Sequence, residues 1–306
     1  MIVDLVSSHT ALAVINVAKD KNTVALVSSA GSSDITGKAC TPNSIHWTYD
    51  TVALANATGS AIVKTGGDSW FFLTADYAFG QALERDTSAV VTKSGGKVLG
   101  AAKHPFPTQD FSSFLLTAQA SKAKVIGLAN AGADTTNAIK QAAEFGIVSG
   151  GQSLAGLLVV LSDIHSLGLK TAQGLMLTEA WYWDQTGANR AFTKEYAAGM
   201  NGKYPNSTHA GVYSQVMHYL KAVDALQSDN EGAAVVAKMK ELPTDDALFG
   251  KGTVRADGRK LHDMYLFEVK KPEESKGPYD YYKQRAVIPA AEAFRPLADG
   301  GCPMVK

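Results

Sequence analysis

Residues 69–80 read Ser-Trp-Phe-Phe-Leu-Thr-Ala-Asp-Tyr-Ala-Phe-Gly. Ser69 to Thr74 is an apolar run too short for a helix, with Gly66-Gly67 just before it, and such a run reads as a strand buried on both faces. Tyr77 to Ser94 then has helical length. Working outward, the same alternation repeats. Upstream lie a first strand at Met1 to Val6, a helix at Thr10 to Lys19, a strand at Thr23 to Ser28 and a helix at about Asp50 to Lys64. Downstream come strands at Lys97 to Ala101, Lys124 to Ala129, Leu154 to Leu161 and Gly174 to Thr178, with helices at Phe111 to Ser121 and Asp134 to Phe145 and a short one before the last strand. Near-continuous apolar strands alternating with helices predict an α/β chain whose parallel sheets are covered on both faces.

From Trp181 the rhythm changes. Helices are expected at Thr208 to Gln227, where Val212, Val216, Tyr219, Leu220 and Val223 share a face, and at Glu231 to Leu242, ahead of Pro243. Gly252 to Arg255 and Leu261 to Val269 flank Ala-Asp-Gly-Arg, whose Asp-Gly signals a hairpin. The proline-rich tail from Lys270 shows little periodicity and is expected to wrap a surface.

The 306 residues suffice for about two domains. Twenty-nine Lys plus Arg balance twenty-nine Asp plus Glu, so no net field draws nucleic acid or anionic lipid. No apolar run approaches the ~20 residues of a membrane span, and the first residues lack the basic and apolar regions of a secretory leader. Cys40 and Cys302 are too few for a disulfide scaffold and too far apart for clustered metal ligands; they are two free thiols or one long-range bridge.

Enzyme signatures do not emerge. The chain holds no phosphate-cradling Gly-x-x-x-x-Gly-Lys, no Gly-x-Gly-x-x-Gly, no His-Glu-x-x-His, no Cys-x-x-Cys and no Gly-x-Ser-x-Gly. Small polar and aromatic residues instead recur after the strands: Ser7-Ser8-His9-Thr10, Ser28-Ser29-Ala30-Gly31-Ser32-Ser33, Asp76-Tyr77-Ala78-Phe79-Gly80 and Asn130-Ala131-Gly132. Ligands of open α/β sheets bind beyond the carboxyl ends of strands. Hydroxyls and helix-start amides there suit a carboxylate. Asp163 and His165 follow another strand, where Asp163 reads either as a functional group or as a helix cap.

Ser-Ser-His-Thr followed by Val-Ser-Ser-Ala-Gly-Ser-Ser-Asp-Ile-Thr-Gly resembles the first ligand-binding lobe of bacterial periplasmic proteins for leucine, isoleucine and valine. Thr74-Ala-Asp-Tyr-Ala-Phe-Gly80, Gln141-Ala-Ala-Glu-Phe-Gly146, Asp257-Gly-Arg259 and Met264 to Val269 fit the same family. Cys40-Thr-Pro, His46-Trp-Thr-Tyr-Asp50, Tyr182-Trp-Asp184, Pro272 to Ser275 and Tyr279 to Tyr282 resemble a subgroup of ABC-transporter solute-binding proteins.

The resemblance implies a two-lobed periplasmic binding protein type I fold with three hinge crossings, near Tyr49 to Thr51, Trp181 to Trp183 and Met264 to Leu266. Lobe one would be 1–49 plus 184–263, and lobe two 50–183 plus 264–306 with the C-terminal tail. The family has a leader and a β-α-β stretch before the strand that opens this sequence, so lobe one is expected to be incomplete at its N-terminus. The implied function is capture of a small carboxylate, amino-acid-like or aromatic, for delivery to an ABC permease, in the periplasm, as a monomer, without catalysis, cofactor or nucleic-acid partner. A cytoplasmic ligand sensor on the same fold is the alternative. By resemblance, Ser7, Ser8, Ala30 and Ser32 would hold the carboxylate, Tyr77 and Phe79 would give aromatic contacts, and Asn130 or Ala131 would lie where the family has another aromatic contact. The acid that holds an α-ammonium in the family should fall near Leu161 to Asp163. Apolar Val159-Val-Leu161 fills most of that stretch, so unless Asp163 substitutes, an unpaired buried ammonium would cost several kcal/mol. That favours a carboxylate without the amine, and Tyr77, Phe79, Trp181 and Tyr182 nearby favour an aromatic one. Export would make a Cys40–Cys302 bridge the expected state.

Overall fold

The computed structural model describes residues 1–305. The chain opens with β1 (Ile2–Val3), α1 (Ser8–Asp20), β2 (Ala25–Val27) and, after a 3-10 turn at Ser33–Thr36, β3 (Ser44–His46). α2 (Thr51–Leu54) and α3 (Ser60–Lys64) are joined by a π-helical stretch, Ala55–Gly59. There follow β4 (Ser69–Ala75), α4 (Ala78–Lys93), β5 (Lys97–His104), α5 (Ser112–Ala120), β6 (Val125–Ala129), α6 (Ala133–Glu144), β7 (Ser153–Gly156), α7 (Leu161–Leu167), α8 (Leu169–Ala172) and β8 (Met176–Glu179). The strand expected over 154–161 therefore stops at Gly156. Asp163 accepts the Val160 amide at 3.0 Å, which caps the chain into a helix from Leu161.

Beyond β8 come α9 (Gly187–Gly199), α10 (Ser207–Leu226), α11 (Gly232–Glu241), β9 (Thr244–Asp246), β10 (Gly250–Val254), β11 (Lys260–Leu261), β12 (Met264–Val269), β13 (Tyr282–Ile288) and α12 (Ala290–Ala293). The Asp-Gly signal marks a real turn: Gly258 has φ +87° and Val254 lies opposite Lys260. The tail, expected to be irregular, contributes β13, antiparallel to β12.

Among the described residues the strands form three sheets, with orders β1-β2-β3, β11-β10-β9 and β13-β12-β8-β7-β6-β4-β5. The first is parallel and the second antiparallel; the third is parallel from β5 through β8 and antiparallel at β12 and β13. β4 is interior, held between β5 and β6, and Trp70, Phe72 and Leu73 have no exposed surface. Burial of each such side chain stabilises by about 1.5–3 kcal/mol. One face of β1-β2-β3 packs Ala25 and Val27 on Ala11, Ile15 and Ala18 of α1, and the other packs Leu26, Ile45 and Trp47 on Tyr219, Val235, Val236 and Met239 of α10 and α11.

The chain divides into two compact units. Unit one is Met1–Asp50, Ala180–Asp263 and the chain from Pro289; unit two is Thr51–Glu179 and Met264–Ile288. The division falls at four points rather than three, and it corrects the expectation that the tail belongs wholly to the second lobe. β13 completes the seven-stranded sheet of unit two. The chain after it is bound into unit one, because Cys302 forms a disulfide with Cys40, Arg255 donates to the Arg295 carbonyl at 2.7 Å and Arg295 to the Ser33 carbonyl at 2.6 Å.

Candidate functional site

In unit one the loops after β1 and β2 are knit together. Ser8, 1 % exposed, accepts the Ser32 amide at 3.1 Å, and the Ala30 amide donates to the Leu5 carbonyl at 2.8 Å. Ser32 is fully buried and caps the 3-10 turn, accepting from the Asp34 amide. The Ala30 carbonyl accepts from His46 Nε2 at 2.7 Å. Burial first, then the Arg259 charge, hold the His46 pKa well below the usual range, so its ring is neutral. Ser7 is the half-buried member of the set. It is the N-cap of α1, but its side chain makes no cap bond and meets His9 Nδ1 at 2.8 Å. The Ser8 and Thr10 amides, like those of any first helical turn, have no intrahelical acceptor, and no acidic residue stands in that turn.

Several neighbours escaped the sequence reading. Asp4, at φ +54°, accepts the Ser29 hydroxyl at 2.5 Å, and the Tyr49 hydroxyl donates to the Ser29 carbonyl. No local sequence signal marks Asp4: its left-handed conformation, which aspartate adopts more readily than most residues, is known only from the fold. α10 closes on this region through Gly211, where a Cβ would stand 2.0 Å from Thr48 Oγ1 and 2.7 Å from Ser28 Oγ.

Unit two gathers a different set beyond β4, β5 and β6. Gly80 lets α4 descend onto the sheet, since a Cβ there would lie 2.1 Å from the Ala75 carbonyl. That places Tyr77, the N-cap of α4, half-buried and stacked on Phe106 with centroids 4.6 Å apart. Burial, then the Asp134 charge, push the Tyr77 phenol up to about 12. Phe79 is 3 % exposed and lies inward of it. Asn130 has no exposed surface: its Oδ1 accepts from Thr135 at 2.7 Å, and its amide nitrogen donates to His104 Nε2 at 3.1 Å. His104 Nδ1 donates to the Pro105 carbonyl at 2.9 Å, which fixes one neutral tautomer. Asp134, 1 % exposed, accepts the Thr108 amide on Oδ1, while Oδ2 has no hydrogen-bond donor and stands 3.7 Å from His104 Nδ1. His104, Phe106 and Asp134 were not singled out from sequence, because their role depends on three strand ends meeting.

Asp163 is half-buried, and burial, opposed by the Val160 amide, pushes its pKa up to about 6. Trp181 and Tyr182 are buried within unit one, Trp181 packing edge-on to Phe192 at 6.0 Å. Among the described residues no group of three or more His, Cys, Asp or Glu side chains is placed to hold a metal ion.

Residues 1–278 match the family model described as periplasmic binding protein. A periplasmic binding protein of Burkholderia mallei is 51 % identical, with 98 % of this chain and 79 % of that one covered and a TM-score of 0.95. A branched-chain amino acid ABC transporter periplasmic ligand-binding protein of Burkholderia xenovorans is 39 % identical over 99 % of this chain and 81 % of that one, at TM-score 0.87. Leu/Ile/Val-binding protein homolog 6 of Brucella melitensis is 25 % identical over 272 residues, 86 % of this chain and 68 % of the relative.

Proposed function

Since the chain belongs to the periplasmic binding protein family, a family of solute-binding proteins, we propose that it captures a small organic carboxylate and hands it unchanged to an ABC permease in the membrane. The observation that carries the reading is the pair of loops tied by Ser8 and Ser32 at the start of α1. Ser7 offers a half-buried hydroxyl there. The first-turn amides and the helix dipole favour negative charge, and no acidic side chain in the turn opposes it. Ser7 is the direct donor; Ser8, Ala30 and Ser32 hold the loops in register. In unit two, Tyr77 presents an aromatic face supported by buried Phe79, while Asn130 positions His104. The names of the similar proteins support amino acids or related acids as the class, and the periplasm as the place of work. Incubation with a pool of carboxylates, then removal of unbound material and mass spectrometry, tests it. One acid retained with its mass unchanged is expected. Conversion of a pool member, or retention of none, overturns the proposal.

A further inference from the structure

One residue of unit one, Asp4, acts on both of its strand-end loops. β1 ends at Val3, and Asp4 takes φ +54°, a left-handed conformation that aspartate tolerates better than most residues. The backbone consequence is a bend. Asp4 still donates its amide to the Leu26 carbonyl at 3.1 Å, as a continuing strand would. The Leu5 carbonyl is then turned onto the Ala30 amide at 2.8 Å, and the chain enters α1 at the Ser7 N-cap. The side-chain consequence lies in the loop after β2. The half-buried Asp4 carboxylate accepts the Ser29 hydroxyl at 2.5 Å, a charge-assisted bond across 25 residues of chain. From the β3 side the same loop is held by Thr48 on Ser28 at 2.5 Å, by the Tyr49 hydroxyl on the Ser29 carbonyl and by His46 on the Ala30 carbonyl at 2.7 Å. From the β1 side its side-chain ties are Asp4 to Ser29 and Ser8 to the Ser32 amide. All of these groups lie within Met1–Asp50 of unit one.

We infer that Asp4 is a positioning residue for carboxylate capture: its bend directs the chain into Ser7 and the first turn of α1, and its side chain holds the Ser29 loop against them. It acts through those loops and does not touch the carboxylate. The inference rests on the carboxylate-binding reading above. Asp4 meets two separable demands, a left-handed backbone and a hydrogen-bond acceptor. Glycine meets the first alone, since it adopts the bend freely and accepts nothing. Asparagine meets both, because it tolerates the bend and its amide oxygen accepts from a hydroxyl. The negative charge itself gives no help in holding an anion nearby, so its removal by asparagine is harmless or favourable.

Hydrogen exchange and calorimetry test it on Asp4→Gly, Asp4→Asn, Ser29→Ala and a control, Val235→Ala, which loosens the core of unit one away from these loops. The Ala30 and Ser32 amides report the loops directly, since they donate to Leu5 and Ser8. Their protection should fall about fivefold or more in Asp4→Gly and Ser29→Ala and stay within about twofold of wild type in Asp4→Asn. The double variant Asp4→Gly/Ser29→Ala should lose no more than either single change, because both remove one bond. Benzoate and L-leucine are the calorimetric probes; if the pool of carboxylates yields a different acid, that acid takes their place. The bound acid should bind about fivefold or more weakly to Asp4→Gly and Ser29→Ala, at least as tightly to Asp4→Asn, and unchanged to Val235→Ala. Unchanged protection in Asp4→Gly, additive losses in the double variant, Asp4→Asn as weak as Asp4→Gly, or loosened loops with full affinity would each overturn the inference. If the wild type binds no acid at all, the carboxylate reading falls and the capture role of Asp4 with it, while the exchange results still decide whether Asp4 holds the two loops.

Discussion

Unit one holds its strand-end loops by covalent and polar ties, whereas unit two holds its own by aromatic packing over a buried imidazole. In the first, Ser8 binds the Ser32 amide, Asp4 binds Ser29, and the Cys40–Cys302 bridge fastens the chain's last segment. In the second, Tyr77 rests on Phe106 and Asn130 on His104. Small polar loops fix the position of a charge but distinguish little about the rest of a ligand. A ring stack selects by shape and apolar area instead. Unit one thus offers small polar groups at its strand ends, and unit two aromatic ones.

The largest expected effect breaks the staple that unit two lacks. In the chain-entropy model, closing a loop of sequence separation 262 stabilises by about 5 kcal/mol. Replacing both cysteines by serine should therefore lower hydrogen-exchange protection in β1, β2 and β3 by up to that amount, with β4 and β6 much less affected. Equal loss in both units would erase the contrast.

A second test uses charge. Lys260 is fully buried, its Nζ has no hydrogen-bond partner, and it lies over the rings of Trp47 and Phe249 at 5.2 and 4.7 Å. Burial, opposed by Asp246, lowers its pKa from 10.5 to about 7. The unfolded chain then binds more protons between pH 7 and 10.5, so this group makes stability rise with pH across that window. Lys260→Met should stabilise unit one by up to about 4 kcal/mol at pH 6, with the gain shrinking toward pH 10. Denaturant unfolding at pH 6 and 9.5 measures it; a gain independent of pH would mean that Lys260 is not the titrating group.

Ligand affinity comes next. Ser7→Ala removes a hydroxyl bond to a charged carboxylate and should weaken binding by roughly 1.5–3 kcal/mol, about ten- to a hundredfold in Kd. Ser32→Ala should instead cost about 1 kcal/mol of stability, since that hydroxyl caps a turn. Calorimetry and thermal unfolding of both variants separate the roles, and reversed results would place the carboxylate at Ser32.

The smallest effect belongs to unit two and has the opposite sign from Lys260. With the Asp163 pKa raised from 3.8 to about 6 by burial, the folded state holds more protons between those values, so stability falls as pH rises through that window. Asp163→Asn should abolish a slope worth about 1–2 kcal/mol, discounted for the partial exposure of the group. Unfolding midpoints at pH 4 and 6.5 report it, and an unchanged slope in the variant would assign the titration elsewhere.

The sequence by itself determined the alternation of strand and helix, because periodicity and apolar runs are local properties: β4 is legible in Trp70 to Leu73 alone, and α10 in the spacing of Val212 to Val223. It also marked the loops after β1, β2, β4 and β6, where serine and aromatic residues cluster beyond strand ends. Tertiary structure decided what those residues touch. Tyr282 to Ile288 shows no strand signal, yet pairs with β12 because that edge of the sheet was open to it. Val159 to Leu161 is apolar enough for a strand, yet Asp163 turns it into a helix start. Nothing local in the sequence marks Lys260 or Asp134 for burial, and only the packing of distant segments, Trp47 with Phe249 around the one and the ends of β5 and β6 around the other, removes them from water. Burial of a polar atom is a property of the residues that close over it, and those lie far away in the chain.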